Sequence, residues 1–315
     1  MSSHYQRLLE LYPDALVRAG RVYPAVVRDG SHWQRLLVDP APRAPDRTLS
    51  ELGAVHLAKR RADDPALTNG PTTCWQGDGR DGVRVTGGRY FDMLATCDAL
   101  KAEFDDDDGA RPLAQLPLRA LAHALAGDPL SSGQGRDAAI GISVILTVPQ
   151  ASIPRTAVPG DSPPIAGLPA TERFSSAPGF VIGYRHVSSD RGTWHVAPSG
   201  MLEPTDDPNP IAATVATELE EELGLRIGSA AVADRMVMLG LTQDLLRLKP
   251  DLVVRLDLAA AEVPAELAAV SEFSELAFVT ADRDGLAAFW REHDPDLLTP
   301  AAAGAVALLE ASLVR

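Results

Sequence analysis

The sequence predicts an α/β fold for residues 135–315, preceded by an α+β region, residues 1–134, whose fold it does not name. Three observations carry this reading. Strand-like runs and stretches of helical periodicity alternate from residue 138 to the end. A run of turn formers at residues 129–135 marks a boundary before them. Apolar residues make up 45% and charged residues 23% of 315 residues, ordinary globular composition with room for one large domain or two smaller ones.

Taken in order, residues 2–19 predict an amphipathic helix with Leu8, Leu9, Leu11, Leu16 and Val17 on its buried side. Residues 23–28 and 33–38 predict strands about the turn Asp29-Gly30-Ser31, and residues 49–61 a helix. Residues 68–88, rich in Gly, Asp, Pro and Thr, predict turns, with only Val83-Arg84-Val85 strand-like. Helices are expected at 90–104 and 113–127; the aspartates at 105–108 lack the spacing of a calcium loop and read as a solvated connection. A buried strand follows at 138–148, then a proline-rich loop, 153–176, that crosses the surface or covers a site. Further strands are expected at 180–186, 194–196, 235–242, 252–258 and 275–280, and helices at 210–223, 282–292 and 300–313. The last has Thr299 as N-cap and Pro300 at its first position.

The helix at 210–223 carries the densest chemistry. Asn209 suits the N-cap, Pro210 the first helical position, and Gly224 a left-handed stop. Ile211, Val215, Leu219 and Leu223 form one apolar stripe. Glu218, Glu221 and Glu222 stand at i, i+3 and i+4, so their carboxylates meet on one side. Clustered carboxylates repel unless a cation sits among them, and hard oxygen ligands favour magnesium, calcium or manganese.

This stretch resembles the Nudix box, G-x5-E-x7-R-E-U-x-E-E-x-G-U with U aliphatic. Gly200 opens it, and Glu218, Leu219, Glu221, Glu222, Gly224 and Leu225 fill the closing half residue for residue. Three positions depart from the pattern: Asp206 replaces the middle glutamate, the spacer after it is longer, and Thr217 stands where the family has arginine. The resemblance covers about residues 138–292. It implies an α/β/α sandwich with a mixed sheet, and Mg²⁺- or Mn²⁺-dependent hydrolysis of a nucleoside diphosphate linked to another group. It further implies that Glu218, Glu221 and Glu222 are metal ligands and catalytic, that Gly200 lets the backbone approach metal or phosphate, and that Glu203 joins them in cofactor binding. Glu272 and Glu275 are candidates for a general base outside the box, and Arg185 and Arg255 for the missing arginine; His186 and His195 flank strands and read as structural or substrate-side residues. A catalytically weak ligand-binding or regulatory domain is the competing expectation. A Nudix-fold isomerase would need a cysteine in the domain, and Cys74 and Cys97 both precede it.

The net charge of −14 argues against a nucleic-acid duplex or an acidic membrane as partner. A small-molecule diphosphate remains open, because bound cations reverse the local field. The longest apolar run, 138–148, is too short to span a bilayer, and residues 1–18 lack a signal-peptide core. Two cysteines make no zinc pattern or disulfide framework, in keeping with a reduced, cytoplasmic compartment. The sequence leaves the substrate open, and homodimer formation with it.

Overall fold

The computed structural model describes residues 4–30, 33, 35–39, 41, 43–79, 82–149, 178–186, 190–264, 267, 269–270 and 272–314. The proline-rich loop expected at 153–176 lies outside the described residues. In chain order the elements are α1 (Leu8–Leu11), β1 (Val17–Arg18), β2 (Arg21–Val22), β3 (Ala25–Asp29), β4 (Arg35–Val38), α2 (Arg47–Asp63), β5 (Pro71–Asp78), β6 (Gly82–Arg89), α3 (Tyr90–Met93), α4 (Ala99–Asp106) and α5 (Pro117–Ala126). Then follow β7 (Gly141–Val148), β8 (Gly179–Arg185), β9 (Trp194–Val196), β10 (Ser199–Met201), α6 (Pro210–Leu223), α7 (Ser229–Ala233), β11 (Val237–Asp244), β12 (Lys249–Asp257), β13 (Phe273–Thr280), α8 (Arg283–Glu292) and α9 (Pro300–Ser312).

The larger sheet runs β13-β8-β7-β12-β11-β3, with β10 on β7 and β9 on β8. It is mixed: β7 and β12 are parallel and their other neighbours antiparallel. Successive residues of β7 point to opposite faces. Ile142, Val144, Leu146 and Val148 pack with Ile211, Val215, Leu219 and Leu223 of α6, while Ile145 joins Phe289 of α8 and Val306 of α9 on the other face. The expected α/β architecture, helices on both faces of a mixed sheet, is the one found.

α6 begins and ends as its residues dictate. The Asn209 side chain accepts from Ala212 N at 3.1 Å, and Gly224 closes the helix at φ 67° while Leu225 N donates back to Leu219 O.

Two N-terminal expectations change. The helix expected at 2–19 shortens to α1, because Pro13 lies just beyond it and Ala19-Gly20, both at positive φ, turn the chain so that β1 pairs with β2. Residues 68–88 are not mainly turns: β5 and β6 form an eight-residue antiparallel pair, with β4 parallel to β6. Its inward Trp75, Val83 and Val85 supply the apolar face that the polar composition hid.

The regions before and after residue 134 share sheets and cores. β3 is an edge strand of the larger sheet, Thr73 and Trp75 exchange backbone hydrogen bonds with Ile140, Leu202 and Ala138, and Leu245, Leu246 and Leu248 are buried among Leu8, Leu100 and Phe104. We therefore expect a fragment beginning near Ser131 to lose cooperative melting, whereas the full chain keeps it. A sharp melt of that fragment near the full-length temperature would show that residues 1–130 dock on a self-sufficient core.

Candidate functional site

The box helix lies over β10, and its carboxylates meet that strand at close quarters. Glu222 is buried, 1% exposed, and its Oε2 accepts from Ser199 N at 2.8 Å; its Oε1 has no hydrogen-bond partner among the described residues. One turn earlier Glu218 rests on Gly200: a Cβ on that glycine would come within 1.7 Å of Glu218 Oε1. Glycine is needed here for close approach, not for a positive φ.

Gly200, Glu203, Glu218 and Glu221 line one cavity of ≈ 340 Å³, where Glu272, the residue before β13, joins them. Glu222 lies outside this lining, behind Glu218. Glu275 is also outside it, so Glu272 alone of the two general-base candidates reaches the cavity. His186 is exposed and its amide bonds Glu272 O; His195 is buried in the cavity wall with Nδ1 3.0 Å from Thr299 Oγ1. Burial holds the His195 ring well below its ordinary range, which keeps it neutral.

Burial, then repulsion by Glu221, Glu272 and Glu203, pushes Glu218 up to about 8. Burial and then Glu218 push Glu222 up to about 9. Both carboxyls are thus weaker acids folded than unfolded, so the stability gained by keeping them protonated is complete below about pH 4.5 and lost as pH rises through about 8 and 9. The metal-free protein should melt at falling temperature across that window. Added magnesium or manganese should restore the melt most at the alkaline end, where fewer protons need displacing. Calorimetry across pH checks this; a flat profile would mean that both groups titrate normally.

The arginine expected to replace the family's does not bond a box glutamate among the described residues. Thr217 is exposed on α6. Arg185 lines the cavity and pairs with Glu272, and Arg255 lies 3.3 Å from Asp257. Arg185 reaches Glu218 and Glu222 through its field alone, lowering both against the effects of burial and carboxylate repulsion.

Sequence reasoning missed a second group of charges in the same cavity. Arg247, in the turn between β11 and β12, pairs with Asp98 at 2.9 Å, Asp244 at 2.9 Å and Asp190 at 2.7 Å. Lys249 and Asp251 follow it on β12, and Tyr90, Met93 and Asp98 come from the N-terminal region. Asp98 closes a π-helical turn, Leu94–Asp98, a distortion common at functional sites. The available signal was a charged D-x-x-R-x-K-x-D run, Asp244 to Asp251, within a leucine-rich hairpin.

The carboxylate end suits a divalent cation by its chemistry: all donors are hard oxygens, and one buried oxygen of Glu222 lacks a partner. Among the described residues no group of three or more His, Cys, Asp or Glu is positioned as a ready-made metal cage.

No family model and no curated protein matches the chain. Solved structures with similarity to it include a MutT/nudix family protein from Enterococcus faecalis, at 14% identity and TM-score 0.30, the match spanning 45% of this chain and 43% of that one. The NUDIX domain of Shewanella oneidensis NrtR, complexed with ADP ribose, is 12% identical at TM-score 0.35, over 56% of this chain and 88% of that one. The MutT protein of Methanosarcina mazei is 14% identical at TM-score 0.34, over 56% and 96%.

Proposed function

We propose that this chain is a Nudix-type, divalent-metal-dependent hydrolase that cleaves the diphosphate linkage of a nucleoside diphosphate-X or related small molecule. The observation that carries the proposal is the seating of Glu218, in the cavity wall, on Gly200 and of Glu222, buried outside that wall, on Ser199 N, which holds two box carboxylates against the same short strand. Glu218, Glu221 and Glu222 would hold Mg²⁺ or Mn²⁺, with Glu203 at the rim. Such an ion neutralises phosphate charge and makes a bound water acidic.

The chain's own residues set the geometry. The Ser199 amide holds one Glu222 oxygen and leaves the other for the ion. Gly200 leaves no side chain between backbone and Glu218. Glu272, paired with Arg185 at the cavity, would take a proton from an attacking water. Arg185 adds a positive charge that offsets the cavity's carboxylates where phosphate oxygens would lie.

A panel of diphosphate compounds, assayed with magnesium and with manganese, tests the reading. Metal-dependent release of phosphate or a mononucleotide supports it. One observation favours a ligand-binding domain with weak catalysis: Thr217 leaves the box without its arginine, and among the described residues none substitutes for it by a direct bond. Tight metal-dependent binding without turnover would select that reading. Among the described residues no helix is long and apolar enough to cross a membrane. The buried, unbridged thiols of Cys74 and Cys97 support the proposal of a reduced, cytoplasmic setting.

A further inference from the structure

The smaller sheet, β4-β6-β5, is covered at one edge and open at the other. On the β5 side, Thr73 and Trp75 exchange backbone bonds with Ile140, Leu202 and Ala138. On the β4 side no strand follows among the described residues. Asp39 N donates to Val85 O at 2.8 Å, continuing the β4–β6 ladder. Every second residue of a strand turns its backbone to the same neighbour. Leu37 therefore faces β6 as Asp39 does, and the N–H and C=O groups of Leu36 and Val38 face outward. An edge of this kind is a template for a further strand.

A cavity of ≈ 710 Å³, lined by none of the box glutamates, lies against this edge. All four residues of β4 line it. Successive side chains of a strand go to opposite faces, so a cavity that touches all four takes in the edge itself. Its charge opposes that of the chain, whose net charge is −14. Arg35, Arg43 and Arg84 line it, and Asp39 is the one acid beside them among the described residues. Arg43 lies 3.9 Å from Asp39, whereas Arg35 and Arg84 are exposed and pair with no carboxylate among the described residues. Arg84 stands opposite Leu37 in the ladder, two residues on from Arg35. The two arginines therefore share a face, one strand repeat of ~7 Å apart along it.

The edge and the charge together select an occupant. A phosphate or a nucleic acid would meet the arginines and leave the outward amides and carbonyls of β4 unused. A second copy of this chain, pairing edge to edge, would gather both sets of arginines on one face, where like charges repel. An extended peptide with an acidic residue at every second position uses both features. Its backbone continues the sheet, and its carboxylates, ~7 Å apart, match the spacing of Arg35 and Arg84. Its intervening side chains fall on the opposite face, next to Val38, which is 67% exposed. Leu36, on that face too, already packs against the core, so apolar residues suit those positions.

We propose that β4 is a docking edge for an extended acidic segment of another protein, in which glutamate or aspartate alternates with apolar residues. The inference stands apart from the hydrolase reading and gives the N-terminal region a task of its own.

The test is fluorescence anisotropy on the full chain with a labelled octapeptide of alternating glutamate and valine. The peptide should bind saturably, and about 10-fold more tightly than its glutamine counterpart, two exposed ion pairs contributing about threefold each. Arg35→Gln combined with Arg84→Gln should remove that advantage. Both side chains are exposed, so the melt should not move. A copy with proline at each valine position keeps every charge but does not fit a strand, and should bind at least ~10-fold more weakly. Equal binding of the glutamate and glutamine peptides, equal binding of the proline copy, or an advantage that survives the double variant overturns the proposal. So does the absence of any peptide binding. A single-stranded oligonucleotide that binds more tightly than the peptide, and is released by the double variant, overturns it in favour of nucleic acid. A dimer that Val38→Lys dissolves overturns it in favour of a second copy.

Discussion

Glu222→Gln is expected to slow turnover of the diphosphate substrate by roughly 10²-fold or more, equivalent to ~3 kcal/mol of lost transition-state stabilisation. Glutamine matches the side chain in size and can still accept from Ser199 N, so the bond at 2.8 Å survives. What disappears is the negative charge on the oxygen that has no protein partner, Oε1. An amide holds a divalent cation less strongly and cannot offset its charge. The helix should stay intact, because Ile211, Val215, Leu219 and Leu223 are untouched. In metal-free protein the variant should match the parent near pH 4.5 and grow more stable than it as pH rises towards 9, because the parent carboxyl, raised to about 9, must be kept protonated inside the fold over that whole interval. Kinetics, a metal titration and melts at both pH values read out these effects. Full activity in a well-folded variant would reduce Glu222 to a buried structural carboxyl and take away the main support for hydrolysis.

Arg247→Met is expected to destabilise the protein by ~3–5 kcal/mol, the usual result of removing one member of a buried ionic cluster. Three carboxylates lose their common partner, and Asp98 and Asp244 are themselves buried. Burial alone would raise Asp190, yet the Arg247 charge beside it holds its carboxyl down to about 2. A depressed carboxyl contributes stability above its unfolded value, and that contribution is lost as pH falls through about 2. Parent and variant should therefore converge in acid and differ most at neutral pH. Adding Asp244→Asn to Arg247→Met should recover part of the loss. Denaturant unfolding at pH 7 and pH 3 measures it, and a neutral-pH loss below about 1 kcal/mol would place this cluster among ordinary surface pairs.

What was legible in the sequence was what local chemistry decides. Asn209, Pro210 and Gly224 bound α6 through bonds within a few residues, and the stripe through Leu219 buries where its period demands. The seating of Glu218 on Gly200 was partly legible, through the spacing of the box. The rest depends on partners distant in the chain. Nothing near Arg247 announces Asp98 or Asp190, and nothing near Tyr90 announces the box glutamates. β5 and β6 were hidden for another reason: their outward residues are polar or glycine, so composition spoke for one face only. Thr217 left the arginine's place open, and the contacts of Arg185 show why a nearby arginine is not a substitute for it: its guanidinium is already committed to Glu272.

The pairing of β3 with β11 has a consequence for synthesis. Asp29 is made long before its ladder partner Gly240, and α9, which also packs on β3, is made later still. This strand of the larger sheet therefore waits for a partner made long after it. Contacts of such long sequence separation slow folding, since loop closure must be met before they repay it. Until Val237–Asp244 is made, Ala25–Asp29 has no ladder partner for its backbone and no cover for its apolar side chains.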